Sequence, residues 1–209
     1  MIYNFYDWDD TIVFTRRAQF KSYRDAIRHY SNYELEWEEY NRVFYGNSDI
    51  FLASLLSSQE TISKIKKLKS DLYNNIYHKE VILIKKEINP SHTNIIVSNS
   101  SKASIERILN LLNIHDQFKS IITRESFLGA SRKPSTDLYH YALSTINSFK
   151  PDEDTIVIHE DSYDGMISAL NFSEQSRIKN IEINYRPHPE IRDTSLKHMH
   201  YPERLSNGK

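Results

Sequence analysis

Short apolar runs rich in isoleucine and valine recur at wide intervals along this chain: Met1–Tyr6, Asn94–Ser98, Ser120–Thr123, Thr155–His159 and Asn180–Tyr185. Each is short and nearly continuous in its apolar residues. That pattern predicts strands covered on both faces, as strands of parallel sheets are. Between the runs the period changes. Ile105, Ile108, Leu109 and Leu112 recur at spacings of three and four, as do Leu138, Tyr139, Ala142, Leu143 and Ile146. Met166, Ile167, Ala169 and Leu170 begin a third face of this kind. Each set predicts a helix with one apolar side. Strands alternating with helices predict an α/β fold built on a doubly wound parallel sheet.

One interval breaks the rhythm. From about Phe14 to about Lys86 no strand pattern is legible and helical spacing dominates. Ile62, Ile65, Leu68, Leu72 and Ile76 form one stripe, flanked by Lys64, Lys66, Lys67 and Lys69, which read as a solvated basic face. The aromatics Phe20, Tyr23, Tyr30, Tyr33, Trp37, Tyr40, Phe44, Tyr45 and Phe51 read mostly as the core of a small bundle, with one or two left to face a ligand. The map is a core formed by residues 1–14 and 88–209, interrupted after its first strand by an all-helical insert at 15–87. Pro90-Ser91-His92 marks the region of return.

Composition removes whole classes of function. The 209 residues carry 27 Lys+Arg against 28 Asp+Glu, so no basic excess points to nucleic acid. The absence of cysteine excludes disulfides, thiolate metal sites and cysteine nucleophiles. No apolar run approaches the roughly 18 residues of a membrane helix, and no secretory leader is visible, so a cytoplasmic protein is expected. The four glycines Gly46, Gly129, Gly165 and Gly208 cannot form a GxGxxG or GxxxxGK loop. Any phosphate must be held another way.

Chemistry gathers at the ends of the predicted strands. The first runs directly into Asp7-Trp8-Asp9-Asp10-Thr11. Carboxylates there need a partner or a metal, because unpaired burial carries a large desolvation penalty. Functional groups also collect at the carboxyl ends of strands in open α/β sheets. A solvated acidic loop is the competing reading, and Trp8 is expected to point into the core. Ser98 and Asn99 close the next strand, either as helix caps or as donors to a ligand. Lys133-Pro134 opens a helix, its lysine either solvated or balancing a carboxylate or phosphate. The fourth strand ends in Glu160-Asp161, followed by Ser162-Tyr163-Asp164-Gly165. A helix start explains one acid there. It does not explain why two separate strand ends both carry paired acids. Asp7, Asp9 and Asp161 together offer the hard oxygen ligands that Mg²⁺ favours.

The order Asp-x-Asp, Ser, Lys-Pro, Glu-Asp resembles the haloacid dehalogenase superfamily over nearly the whole chain. Glu160-Asp161-Ser162-x-x-Gly165 and Lys133-Pro134-x-x-Asp137-x-Tyr139 are similar to its phosphoglycolate phosphatase and β-phosphoglucomutase branch, which carries a helical cap between the first two motifs. The resemblance implies a Mg²⁺-dependent phosphomonoester hydrolase. Its substrate would be a small phosphorylated metabolite, such as a nucleoside monophosphate or a sugar phosphate. By the same resemblance Asp7 is the nucleophile and Asp9 the acid/base. Ser98, Asn99 and Lys133 hold the phosphate, and Lys133 also neutralises Asp7. Asp7, Asp9 and Asp161 hold the metal, with Glu160 in support. Dehalogenases of the superfamily lack the second acid, so Asp9 argues against dehalogenation.

Phosphomutase, phosphonatase and a non-catalytic phosphate-binding regulator are the alternatives. Gln19 stands near the position of the mutases' cap histidine, and Lys21 is the nearest candidate for the phosphonatases' cap lysine. Arg16, Arg17 and Arg24 are candidates for a second anionic group of the substrate, against a solvated helix surface. Asp164 is expected to cap its helix or touch Lys133. The stretch Tyr185–Lys209, with His188, His198 and His200, reads as a surface tail. Oligomeric state is open.

Overall fold

The first strand, β1 (Ile2–Tyr6), is the centre of the main sheet. It pairs in parallel with β4 (Thr93–Ser98) on one side and with β6 (Thr155–Glu160) on the other. Beyond these lie β5 (Ser120–Thr123) and β7 (Ile181–Tyr185), giving the order β5-β4-β1-β6-β7. The computed structural model describes residues 1–44, 48–85 and 88–187, apart from the side chains of residues 43 and 44. Tyr45 and most of the expected surface tail, residues 188–209, lie outside it.

Alternation along the strands explains their apolar sequences. Tyr3 and Phe5 of β1, Ile95 and Val97 of β4, and Ile156 and Ile158 of β6 enter one buried cluster. It is covered by α6 (Asp137–Ser144) and α7 (Tyr163–Gln175), through Leu138, Tyr139, Ala142, Ala169 and Phe172. Tyr6, Trp8 and Ile96 enter the cluster of the other face, with Ile105, Ile108 and Leu109 of α5 (Lys102–Leu112). Trp8 is buried there, as its position between two acids predicts.

Between β1 and β4 the chain forms α1 (Arg16–Tyr30), α2 (Trp37–Glu39), a π-helical turn (Tyr40–Phe44), α3 (Ser48–Leu55) and α4 (Gln59–Asn75). These have a third cluster of their own, including Ala26, Ile27, Leu35, Tyr40, Leu52, Ile62 and Ile65. Most of the aromatics do serve as core: Phe20 lies 5.2 Å from Trp37 and 5.4 Å from Tyr40, ring centre to ring centre.

Three expectations for this interval are corrected. It is not free of strand, because β2 (Val13–Phe14) pairs antiparallel with β3 (Ile82–Leu83) at the root of the insert. Two-residue strands are too short to show a period. Ile76 does not join the α4 stripe; it follows the helix as its C-cap and is exposed. Nor is the lysine cluster uniform. Lys64 and Lys66 are exposed and pair with Glu60 and Asp49, whereas Lys69 turns inward. Among the described residues no helix is long and apolar enough to cross a membrane.

Candidate active site

The sheet places its chemistry where strand order changes direction. From β1 the chain moves outward through β4 and β5, then returns to the other side for β6 and β7. The carboxyl ends of β1, β4 and β6 therefore meet at a switch point, the usual place for a ligand in such sheets. Asp7 follows β1, its backbone N–H donating to the His159 carbonyl at 2.9 Å. Ser98 ends β4, and Glu160-Asp161 end β6.

Lys133 ties these ends together. Its ammonium has three donors and meets three acceptors: Asp7 Oδ1 at 2.8 Å, the Val97 carbonyl at 2.6 Å and Glu160 Oε1 at 2.5 Å. Burial works against that charge, but Asp7 and Glu160 carry its pKa above the usual lysine value. The backbone of Lys133 is clamped as well. Its N–H donates to Asn99 Oδ1 at 2.9 Å, and its carbonyl accepts from Asn99 Nδ2 at 3.4 Å. Lys133 is thus not solvated, and Lys133-Pro134 does not open a helix: the pair forms a turn, and α6 begins at Asp137 after its N-cap Thr136. Asn99 reaches it through its side chain, which leaves the Asn99 backbone amide as its group for a ligand. Neither Asn99 nor Ser98 caps α5, a role taken by Ser101; Ser98 Oγ instead accepts the Ser100 N–H at 3.2 Å.

Glu160 is held from three directions. Tyr139 donates its hydroxyl to Glu160 Oε1 at 2.5 Å, alongside Lys133. Gly165 lies against the other oxygen: a Cβ there would stand 1.9 Å from Glu160 Oε2. The glycine lets the first turn of α7 close over a carboxylate. Ser162 caps that helix, accepting the Gly165 N–H at 3.1 Å. Asp164 is exposed in the first turn, and the three acceptors around Lys133 do not include it.

Asp7, Glu160 and Asp161 bring carboxylate oxygens within 4.8 Å of one another, all three residues buried. Burial raises the pKa of Asp7 against the pull of Lys133, to about 7. It raises that of Asp161 well above the carboxylate range, with Asp7, Asp10 and Glu160 adding to the effect. Glu160 Oε2 and Asp161 Oδ2 are buried without a hydrogen-bond partner. Concentrated negative charge with orphaned oxygens fits a hard divalent cation. Thr11 Oγ1 approaches Asp161 Oδ1 at 3.4 Å.

Asp9 stands apart from this cluster of acids. It accepts a hydrogen bond from Thr15 Oγ1 at 2.6 Å and another from Ser100 Oγ. Burial raises its pKa despite these two hydroxyls, which favours a carboxyl that can carry a proton. Asp10 adopts a left-handed backbone, φ 58°, a conformation that aspartate tolerates. Its Oδ1 accepts the N–H groups of Thr15 and Arg16, and its Oδ2 pairs with Arg16 Nε at 2.9 Å. Asp10 therefore opens α1 from a distance, where Thr15 supplies no side-chain cap.

Thr15, Ser100 and the Asp10–Arg16 pair were not legible as site residues, and Tyr139 stood in the Lys133-Pro134 motif with no role assigned. Tyr139 hides inside an apolar stripe and Ser100 inside a serine-rich run. Of the arginine candidates, Arg16 is buried on Asp10, Arg24 pairs with Asp25, and Arg17 is exposed at 5.9 Å from the Trp37 ring. Lys21 pairs with Glu80 on the surface.

A family model described as haloacid dehalogenase-like hydrolase matches residues 5–176, from the first strand through the last helix of the site. The chain belongs to this family. No curated protein matches it, but solved structures of haloacid dehalogenase-like proteins share its fold. A haloacid dehalogenase-like hydrolase from Streptococcus pneumoniae is 17% identical at a TM-score of 0.68, covering 90% of this chain and 95% of that one. CbbY from Rhodobacter sphaeroides, solved with phosphate, is 17% identical at 0.69, covering 94% and 90%. A protein from Lactobacillus plantarum, provisionally called a phosphoglycolate phosphatase, is 12% identical at 0.68, covering 90% and 96%.

Proposed function

We propose that this haloacid dehalogenase-like hydrolase cleaves phosphomonoesters of small metabolites through an aspartyl-phosphate on Asp7. The observation that carries the reading is Asp9: a second acid two residues from the buried Asp7, its pKa raised, held by Thr15 and Ser100. Carbon–halogen cleavage needs no such proton carrier, whereas expulsion of an alkoxide from phosphorus does.

In this reading the Asp7 carboxylate attacks phosphorus. Asp9 protonates the departing oxygen, then takes a proton from the water that hydrolyses the acyl phosphate. A positioned group of this kind contributes roughly 10²–10⁴ in rate. Lys133 holds Asp7 in line and offsets charge gathering on the phosphoryl oxygens. Ser98 and the Asn99 amide hold those oxygens from the end of β4. Asp7, Asp161 and the Asp9 carbonyl would hold Mg²⁺, with Glu160 behind them. When bound, the ion offsets the repulsion between an anionic nucleophile and an anionic substrate.

The insert at 15–87 serves as a cap over the core, whose described residues are 1–14 and 88–187. Most of the cap's aromatics pack as its own core, among them Phe20, Trp37 and Tyr40. Lys21 pairs with Glu80 on the surface, an arrangement that gives a phosphonatase mechanism no support. The test is phosphate release, with Mg²⁺, from a panel of sugar phosphates, phosphorylated acids and nucleoside monophosphates. Release no faster than that of the Asp7→Asn variant on every member would sink the reading.

A further inference from the structure

Lys69 is a part-buried cation that no acid answers. Among the described residues no carboxylate lies within ion-pair distance of it, although other lysines on α4 find one. Its ammonium lies 4.8 Å from the ring centre of Tyr23 and 5.2 Å from that of Tyr73, and it donates to Gln19 Oε1. Burial lowers its pKa to about 8, against the attraction of Asp9. In turn, Lys69 is the cation that acts most strongly on Asp9. The surroundings tie Lys69 to the core: Tyr73 packs in the same cluster as Trp8, and Tyr23 feels Arg132, next to Lys133.

An ammonium has three donors, and Gln19 takes one. Two aromatic faces ease the charge without accepting a normal hydrogen bond. A cation kept in such a place gains most from an anion, because charge-assisted hydrogen bonds are the strong ones and the burial penalty has already been met. The part of a substrate next to Asp9 is the part that leaves. We propose that Lys69, seated between Tyr23, Tyr73 and Gln19, is a specificity-determining residue that binds a second anionic group on the leaving-group side of the phosphomonoester. The inference rests on the phosphatase reading and narrows it to esters that carry a further carboxylate or phosphate.

The experiment compares kcat and KM, with Mg²⁺, on three matched series of two to four carbons: phosphorylated hydroxy acids, phosphates of the corresponding neutral alcohols, and bisphosphates. The parent is expected to favour one of the doubly anionic series over the neutral one by roughly tenfold or more, chiefly through KM. Which series leads identifies the second group. Lys69→Met should abolish that preference and Lys69→Arg should keep most of it. The inference is overturned if the parent shows no preference, or if Lys69→Met loses the same factor on all three series, as a structural residue would. Calorimetry separates the two readings when no ester is turned over. Lys69-dependent binding of a doubly anionic ester to the Asp7→Asn variant would then retain the recognition role and reject hydrolysis. Its absence would reject both.

Discussion

Lys133 and Lys69 are both lysines drawn away from water and set over tyrosine rings, and they differ in what answers the charge. Lys133 meets two carboxylates and a carbonyl, and its charge is favoured beyond the ordinary lysine. Lys69 meets two rings and an amide, and its charge is disfavoured. The first sits at the meeting of the strand ends, the second on the insert. A charge that serves a step common to all substrates can be matched within the protein. A charge kept for one kind of substrate has to wait for its partner.

The largest effect expected from this contrast is in Lys133→Met. It leaves Asp7 and Glu160 buried with no cation, and breaking a buried pair from one side costs about 3–5 kcal/mol. Urea unfolding of the purified variant measures this. A loss under about 1 kcal/mol would mean that water already reaches these acids and that the matching of charge contributes little.

Next is Gly165→Ala. The new methyl carbon would stand 1.9 Å from Glu160 Oε2 and 2.3 Å from its Cδ, so the carboxylate must move. Overpacking of this kind costs about 1–3 kcal/mol, and phosphate release should fall because Lys133 loses one of its anchors. Thermal unfolding and kcat together check it; a variant unchanged in both would show that Glu160 can be displaced freely. A smaller loss, about 1–2 kcal/mol, is expected for Tyr139→Phe, which removes one donor to the other oxygen of Glu160, Oε1. An unchanged kcat with lowered stability would make that hydroxyl purely structural.

The two regions also differ in how they are written in the chain. Asp7, Asp9, Ser98 and Glu160-Asp161 stand at or just beyond the ends of strands, and Lys133 is marked by the Pro134 that follows it, so local pattern places them before any tertiary contact is known. β1, β4, β5, β6 and β7 read directly, because strands covered by helices leave short, nearly continuous apolar runs. The insert offers no such positions. Lys69 shares its sequence neighbourhood with Lys64, Lys66 and Lys67, and only the packing of α4 on α1 turns it toward Tyr23. The Asp10–Arg16 pair joins a left-handed loop residue to a helix start, and β2 with β3 is a ribbon of two residues a side. Each depends on what the chain meets in space.

The smallest effect belongs to Lys69→Met, and its sign is informative. The substitution loses one hydrogen bond and two ring contacts but also removes a charge that burial disfavours. At pH 7 the variant should lie within about 1 kcal/mol of the parent or exceed it, as changes at functional positions often do. The pH dependence fixes the cause. The folded pKa, about 8, lies below the ordinary 10.5, so between these values the unfolded chain holds more protons. The parent's stability should therefore rise with pH through that window relative to the variant, its penalty complete below 8 and relieved above 10.5. Urea midpoints at pH 7, 8, 9 and 10 measure the difference directly. A variant that is clearly less stable at pH 7, by a margin that stays constant up to pH 10, would make Lys69 a structural element of the insert, no different in kind from Lys133.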